Sequence, residues 1–214
     1  MIKAEYINHL GSDLTVVNSA RVSFNKESTL EDGSLPEKDR KLIQYLARHK
    51  HFTPFTHPQV SIRETVPIFV ARQRFKHVVG FTYNEVSRRY VDDTPEFHSP
   101  ETWRARPEGS VKQGSGGAHP QQLYFKSLYS HTVQIAFDTY NIMIERGIAP
   151  EQARMVLPQS MLTSYYVTGS LAAFARAYTL RADSHAQIEI QVLAEQWAAI
   201  ISPLFPVSWQ ALTT

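Results

Sequence analysis

The stretch Arg72–Tyr90, RQRFKHVVGFTYNEVSRRY, constrains this chain most, because its polar groups are too dense for an ordinary buried segment. Counted as a helix beginning near Pro67, it sets Ile68, Ala71, Phe75, Val78 and Val79 on one face and Arg72, Gln73, Lys76 and His77 on an adjoining polar arc. One face packs and the other is left to bind. The continuation GFTYNEVSRRY passes through Gly80 and β-favouring residues and gathers Asn84, Glu85, Ser87, Arg88 and Arg89. Arg offers a planar fork of donors, Asn and Ser supply neutral donors and acceptors, and Glu accepts. Such a mixture suits a phosphate-bearing ligand; it also describes a solvated, salt-bridged helix end.

The remaining segments alternate between the two periodicities, which predicts an α+β fold. IKAEYIN reads as a strand and DLTVVNSARVSF as a helix running into a polar turn. Leu42, Ile43, Leu46 and Ala47 stripe an amphipathic helix over 35–50, with Arg48, His49 and Lys50 at its favourable C-terminal end. Val60, Ile62 and Thr65 opposite Ser61 and Arg63 read as a strand. Residues 90–117 are irregular, a surface excursion ending in a mobile loop near Gly114–Gly117. The longest helical pattern runs from Gln121 to Arg146 and closes at Gly147, a central packing or subunit-contact helix. PEQARMVLP reads as a short helix, Tyr165–Thr168 as β-rich, and SLAAFARAY as helical. Ser184 and Gln187 fit a capping box for a last helix striped by Ile190, Leu193, Trp197 and Ile201.

A chain of 214 residues without a long Pro/Gly/Ser linker reads as one domain, residues 1–214, with a variable loop region about 92–120. A net charge of +2 with 43% hydrophobic residues describes a soluble globular protein, not a strongly basic nucleic-acid binder. No run approaches the roughly 20 apolar residues of a membrane span, and MIKAEYINHLGSD lacks a signal-peptide layout, so a cytoplasmic protein is expected. The absence of Cys excludes disulfides, Cys-ligated metals and a thiolate nucleophile. His51 and His57 lie in a Pro-containing loop without the i, i+4 spacing of a helical metal pair, so no metal is expected. No GxGxxG fingerprint appears, against a Rossmann nucleotide site.

Gln73, His77, Asn84, Glu85, Ser87, Arg89 and Tyr90 resemble the signature of flavin-dependent thymidylate synthases, an Arg-His-Arg triplet followed after seven residues by the Ser of Asn-Glu-x-Ser-x-Arg-Tyr. Here the triplet reads Lys76-His77-Val78, the spacer to Ser87 is one residue longer, and Thr82 stands where the family usually has Ser. ARVSFNKES around Ser23, HFTPFTH with Thr56 in place of a Glu, ARMVLP around Arg154, and Leu180-Arg181 through Ala186-Gln187 extend the resemblance from about Ser23 to Pro206. Read alone, Ser23 is a turn or cap residue, Arg154 a surface Arg and Gln187 structural.

The resemblance implies a small antiparallel sheet with several long helices, assembled as a homotetramer with sites between subunits. It implies that dUMP is held by Gln73, Arg74, Lys76, Glu85, Val86, Ser87, Arg89, Arg154 and Arg181, with Arg154 reaching across a subunit boundary. FAD is held by Ser23, His51, Thr53, Lys76, His77, Val78, Glu85, Ser170 and Arg176, while Ala172 falls where the family has a donor. Methylenetetrahydrofolate is the implied one-carbon donor and NADPH the implied reductant. Uracil C5 is a poor nucleophile, so a fixed guanidinium must stabilise charge as density is pushed toward C5; Arg181 is the expected catalytic residue. The loop over 92–120 either admits folate or nicotinamide or touches no ligand. Two other readings stand beside the enzyme: a non-catalytic nucleic-acid or nucleotide-binding protein using Tyr83 and Tyr90 for stacking, and a flavoprotein without methyl transfer, raised by Lys76 and Val78.

Overall fold

The computed structural model describes residues 1–91, 93–107 and 114–214. Four antiparallel strands form one sheet in the order β1-β2-β4-β3: β1 (Lys3–Leu10), β2 (Gln59–Pro67), β3 (Phe81–Glu85) and β4 (Leu162–Ser170). The α+β class and the small antiparallel sheet are as expected. In β2 the buried positions are Val60, Ile62, Glu64 and Val66, whereas Ser61, Arg63 and Thr65 face away. The alternation therefore carries Glu64 inward and not Thr65, because strand side chains change face at every residue.

Helices cover the inner face of the sheet. These are α1 (Asp13–Arg21), α2 (Glu37–Arg48), α6 (Leu171–Arg181), α7 (Ile188–Ile201) and α8 (Pro206–Thr213). Ile62, Val167, Phe174, Leu193 and Trp197 are fully buried between the layers, each contributing about 1.5–3 kcal/mol of apolar burial. α8, not foreseen from the pattern, is capped by buried Asp13, whose carboxylate accepts from the Val207 and Ser208 backbone N–H groups at 2.9 Å.

α3 is shorter than its periodicity predicts. It spans Ile68–Arg74 directly after β2, with Pro67 as its N-cap. Val78 and Val79 lie beyond its end and are 65% and 66% exposed, instead of packing on the core. The chain must turn at Gly80 (φ +80) to enter β3, and side chains hold the turn's carbonyls: Tyr83 donates to His77 O at 2.7 Å and Arg176 to Val79 O at 2.6 Å.

Other expectations are also corrected. The capping box does not form, because α7 starts at Ile188 with Gln187 itself as N-cap and Ser184 lies in the preceding turn; the Gln187 amide oxygen accepts from Gln73. Of the irregular stretch, residues 92 and 108–113 lie outside the described residues; near its end Ala105 N donates to Gly117 O at 2.8 Å and Gly116 N to Ala105 O at 2.9 Å. α4 (Gln122–Glu145) buries only Tyr140, leaving Leu123, Tyr124, Leu128, Ile135 and Ile142 exposed, so in the single chain it is not a central packing helix. It meets α5 (Pro150–Ala153) and the 3-10 turn Arg154–Val156. Among the described residues no helix is long and apolar enough to cross a membrane.

Candidate active site

The predicted residues fall into three groups on one chain. The first lines a cleft of about 660 Å³ at the far end of β3, where Glu85, Val86, Ser87 and Arg89 meet Arg154. Strand β3 ends at Glu85, which pairs with Tyr165 of β4, and the chain then turns across the mouth of the cleft. Arg89 Nε donates to Ser87 Oγ at 3.2 Å and its guanidinium stands 5.0 Å from the Tyr90 ring centre. Arg154 Nε donates to Glu151 O at 3.2 Å from an exposed position. Glu85 accepts from the Thr163 hydroxyl at 2.6 Å. Arg63 and Arg88 also line this cleft and are absent from the predicted set. Arg88 is neutralised by Asp93 at 3.0 Å, and Arg63 donates to Ser164 Oγ at 3.0 Å. The available signal for Arg63 was its place on the outward face of β2. Arg89 and Arg154 thus keep guanidinium donors for an anion, the planar fork that phosphate matches.

The second group lines a groove of about 960 Å³ between α1, α2 and the 3-10 turn Thr53–Thr56, which brings Ser23, His51 and Thr53 together. Lys50 adopts a left-handed conformation (φ +58) that lets the chain leave α2 sharply toward His51. Thr56, standing where the family has Glu, closes the turn by donating to Thr53 O at 2.7 Å. Arg21 at the rim is held by fully buried Asp39, with Nε at 3.0 Å. The groove fits the FAD that the resemblance implies. Lys38, Lys41 and Lys50 with the Ser23 and Thr53 hydroxyls suit a diphosphate, and Phe24, Tyr45 and Phe52 suit flat rings.

The third group sits where the turn after α3 meets the C-terminal half of α6. Arg181 Nε donates to His77 Nε2 at 2.8 Å, and among the described residues its two terminal nitrogens have no hydrogen-bond partner. Burial, then the positive charges of Arg181, Arg74 and Arg176, pushes the His77 imidazole down to about 4. It is neutral at pH 7, with Nε2 the acceptor and the proton on Nδ1. Burial, then Arg74, lowers the Arg181 guanidinium from its ordinary value, and it stays charged. Gln73 reaches Gln187 beside this pair, while Lys76 and Arg176 are exposed. Ser170 caps α6, accepting from Ala173 N at 3.2 Å, and keeps its own proton to donate.

Arg74 is the predicted contact that the fold takes elsewhere. It is fully buried, pairs with Glu64 at 3.2 Å, and presents no surface to a ligand. It lies outside the polar arc of Arg72, Gln73, Lys76 and His77, and Glu64 on the inner face of β2 holds it in the core.

The sequence pattern of the family described as "Thymidylate synthase complementing protein" matches residues 5–207. A flavin-dependent thymidylate synthase of Thermotoga neapolitana is 40% identical over 207 residues, covering 97% of this chain and 88% of that protein. The one from Thermus thermophilus is 35% identical over 205 residues, covering 96% and 73%. The crystal structure of a UMP/dUMP methylase, PolB from Streptomyces cacaoi bound with 5-Br dUMP, superposes with a TM-score of 0.88 at 32% identity, covering 100% of this chain and 95% of that one. The chain therefore belongs to the thymidylate synthase complementing protein family, that of the flavin-dependent thymidylate synthases.

Proposed function

We propose that this protein is an FAD-dependent methyltransferase that converts dUMP to dTMP in the cytoplasm, with methylenetetrahydrofolate as one-carbon donor and NADPH as reductant. The observation that carries the reading is the His77–Arg181 pair: a charged guanidinium is fixed through Nε at 2.8 Å by a neutral imidazole. Its terminal donors remain for the N3–O4 edge of uracil. There they stabilise negative charge as electron density moves toward C5, without any thiolate on the enzyme.

Arg89 and Arg154 hold the phosphate, Ser87 and the Val86 backbone orient the nucleotide, and Glu85 accepts from it. Gln73 and Lys76 reach it from the His77 side. Glu85 and Phe81 mark opposite ends of β3, about 13 Å apart at roughly 3.3 Å per residue. In the homotetramer that the family resemblance implies, a nucleotide seated between two facing copies meets Arg154 of one and Arg181 of the other. The exposed apolar residues of α4 supply a surface for such contacts.

Ser23, His51, Thr53, Lys76, His77, Val78, Glu85, Ser170 and Arg176 hold FAD. When bound, reduced FAD supplies the hydride and carries the one-carbon unit.

The test is a visible absorption spectrum of the protein loaded with FAD, titrated with dUMP, followed by assay of dTMP. Retained flavin whose bands shift with dUMP, and dTMP formed only with folate and reductant, are the expected results. No flavin retention and no nucleotide response would sink the proposal, and steeply salt-dependent binding of a polynucleotide would favour the non-catalytic reading. UMP belongs beside dUMP in the assay, because the superposed methylase is named for both nucleotides.

A further inference from the structure

A buried ion pair lies behind Arg181. Arg74 and Glu64 are both fully buried, with Arg74 Nε at 3.2 and 3.3 Å from the two carboxylate oxygens. Glu64 also accepts from the Tyr165 hydroxyl at 2.6 Å. The guanidinium carbon lies 4.3 Å from the Phe81 ring centre and 4.5 Å from that of Trp197, a cation–π enclosure. Taking such a pair out of water is costly, and an apolar pair of the same volume commonly holds a core equally well. What an apolar pair cannot do is donate outward.

That is what Arg74 does. Its Nη1 donates to the Tyr83 hydroxyl at 2.6 Å. Tyr83 has a single proton and gives it to His77 O at 2.7 Å. His77 Nε2 accepts from Arg181 Nε at 2.8 Å. The relay begins in β2 and α3, crosses β3, and ends on α6. His77 lies past the end of α3 and before the start of β3, where its N–H donates to Arg74 O at 3.1 Å and the Tyr83 hydroxyl holds its carbonyl, so Arg74 and Tyr83 together set this turn.

We infer that the Glu64–Arg74 pair is a positioning device: acting through Tyr83, it sets the His77 turn and with it the direction in which Arg181 presents its guanidinium to the substrate. The inference rests on the role proposed for Arg181. The charged groups facing His77 are Arg181 and Arg176 from α6 and Arg74 from α3, and among the described residues no carboxylate hydrogen-bonds its ring. A disturbed His77 turn therefore registers in the imidazole itself, apart from any turnover.

The experiment follows imidazole 15N shifts against pH in ligand-free protein labelled at His, with the His77 signals assigned by their loss in His77→Gln. Tyr83→Phe keeps the ring and the ion pair and deletes only the hydroxyl link. Arg74→Lys keeps a cation beside Glu64 but cannot span to Tyr83, and serves as the second variant. The natural protein should show one His77 tautomer, Nδ1–H, titrating near 4. In either variant the tautomers mix and the titration moves up toward the ordinary 6.5. In the FAD-loaded enzyme kcat for dTMP formation falls about tenfold, as expected for a misaligned catalytic group, while KM for dUMP stays within about threefold. A folded Tyr83→Phe protein whose His77 tautomer, titration and kcat all match the parent overturns the inference. A shifted His77 in a protein that makes no dTMP even as the parent supports the relay and counts against the proposed reaction instead.

Discussion

Arg74 and Arg89 come from one short stretch of sequence and meet opposite surroundings. Arg74 is fully buried against Glu64, with Phe81 and Trp197 around it and its Nη1 spent on Tyr83. Arg89 stands exposed at the mouth of a cleft, with Ser87 at Nε and Tyr90 beside its guanidinium. The same side chain is scaffold in one place and, in the proposed function, hydrogen-bond donor to phosphate in the other. Burial decides which, because a guanidinium with no access to solvent can only act through the protein groups it already touches.

The largest effect should come from breaking the buried member. Glu64→Ala leaves Arg74 as an uncompensated buried cation and should cost about 3–5 kcal/mol of stability, read by urea unfolding; a loss under about 1 kcal/mol would show that the pair is not desolvated. Arg181→Ala should leave FAD bound while reducing dTMP formation by about 10²–10³-fold or more, the scale of a lost charge-stabilising donor. An active variant would remove Arg181 from the mechanism.

Next in size is a pH effect. The His77 value of about 4 lies below the ordinary 6.5, so the unfolded chain takes up this proton first. Its contribution is therefore present above about pH 6.5 and lost as pH falls toward 4, a change of roughly 2–3 kcal/mol. Unfolding free energies over that range should show it, and His77→Gln should flatten the slope. The smallest effect on the fold belongs to the exposed member. Arg89→Ala should change stability by no more than about 0.5 kcal/mol yet weaken dUMP binding by about 10- to 100-fold, measured by the dUMP-induced flavin shift. If Arg89→Ala instead unfolds the protein, the contrast between the two arginines fails.

Much of this was legible along the chain. The amphipathic stripe of α2, the strand β2 and the long helix α4 are local periodicities, and the elements sit where the pattern set them, with Glu64 in place of Thr65 on the inner face of β2. The site motifs gather in two places on one chain, Glu85 to Arg89 with Arg154 in one cleft and Ser23 with His51 and Thr53 in another. The misses have a shared cause. Val78 and Val79 continue a helical stripe, but tertiary bonds from Tyr83 and Arg176 end the helix before them. Ser184 and Gln187 have the spacing of a capping box, but α7 starts only at Ile188, and Gln73, distant in sequence, bonds the Gln187 side chain.

Residue order by itself determined the α+β class, the places of helices and strands, the lack of any thiolate and the residue types available for an anionic nucleotide. Those follow from periodicity and side-chain chemistry, which act over a few residues. Only the tertiary structure decided that Arg74 joins Glu64 in the core and that His77 is neutral and grips Arg181. Each of these depends on groups brought together from separate elements, and the free energy of a charge is set by whatever surrounds it in space.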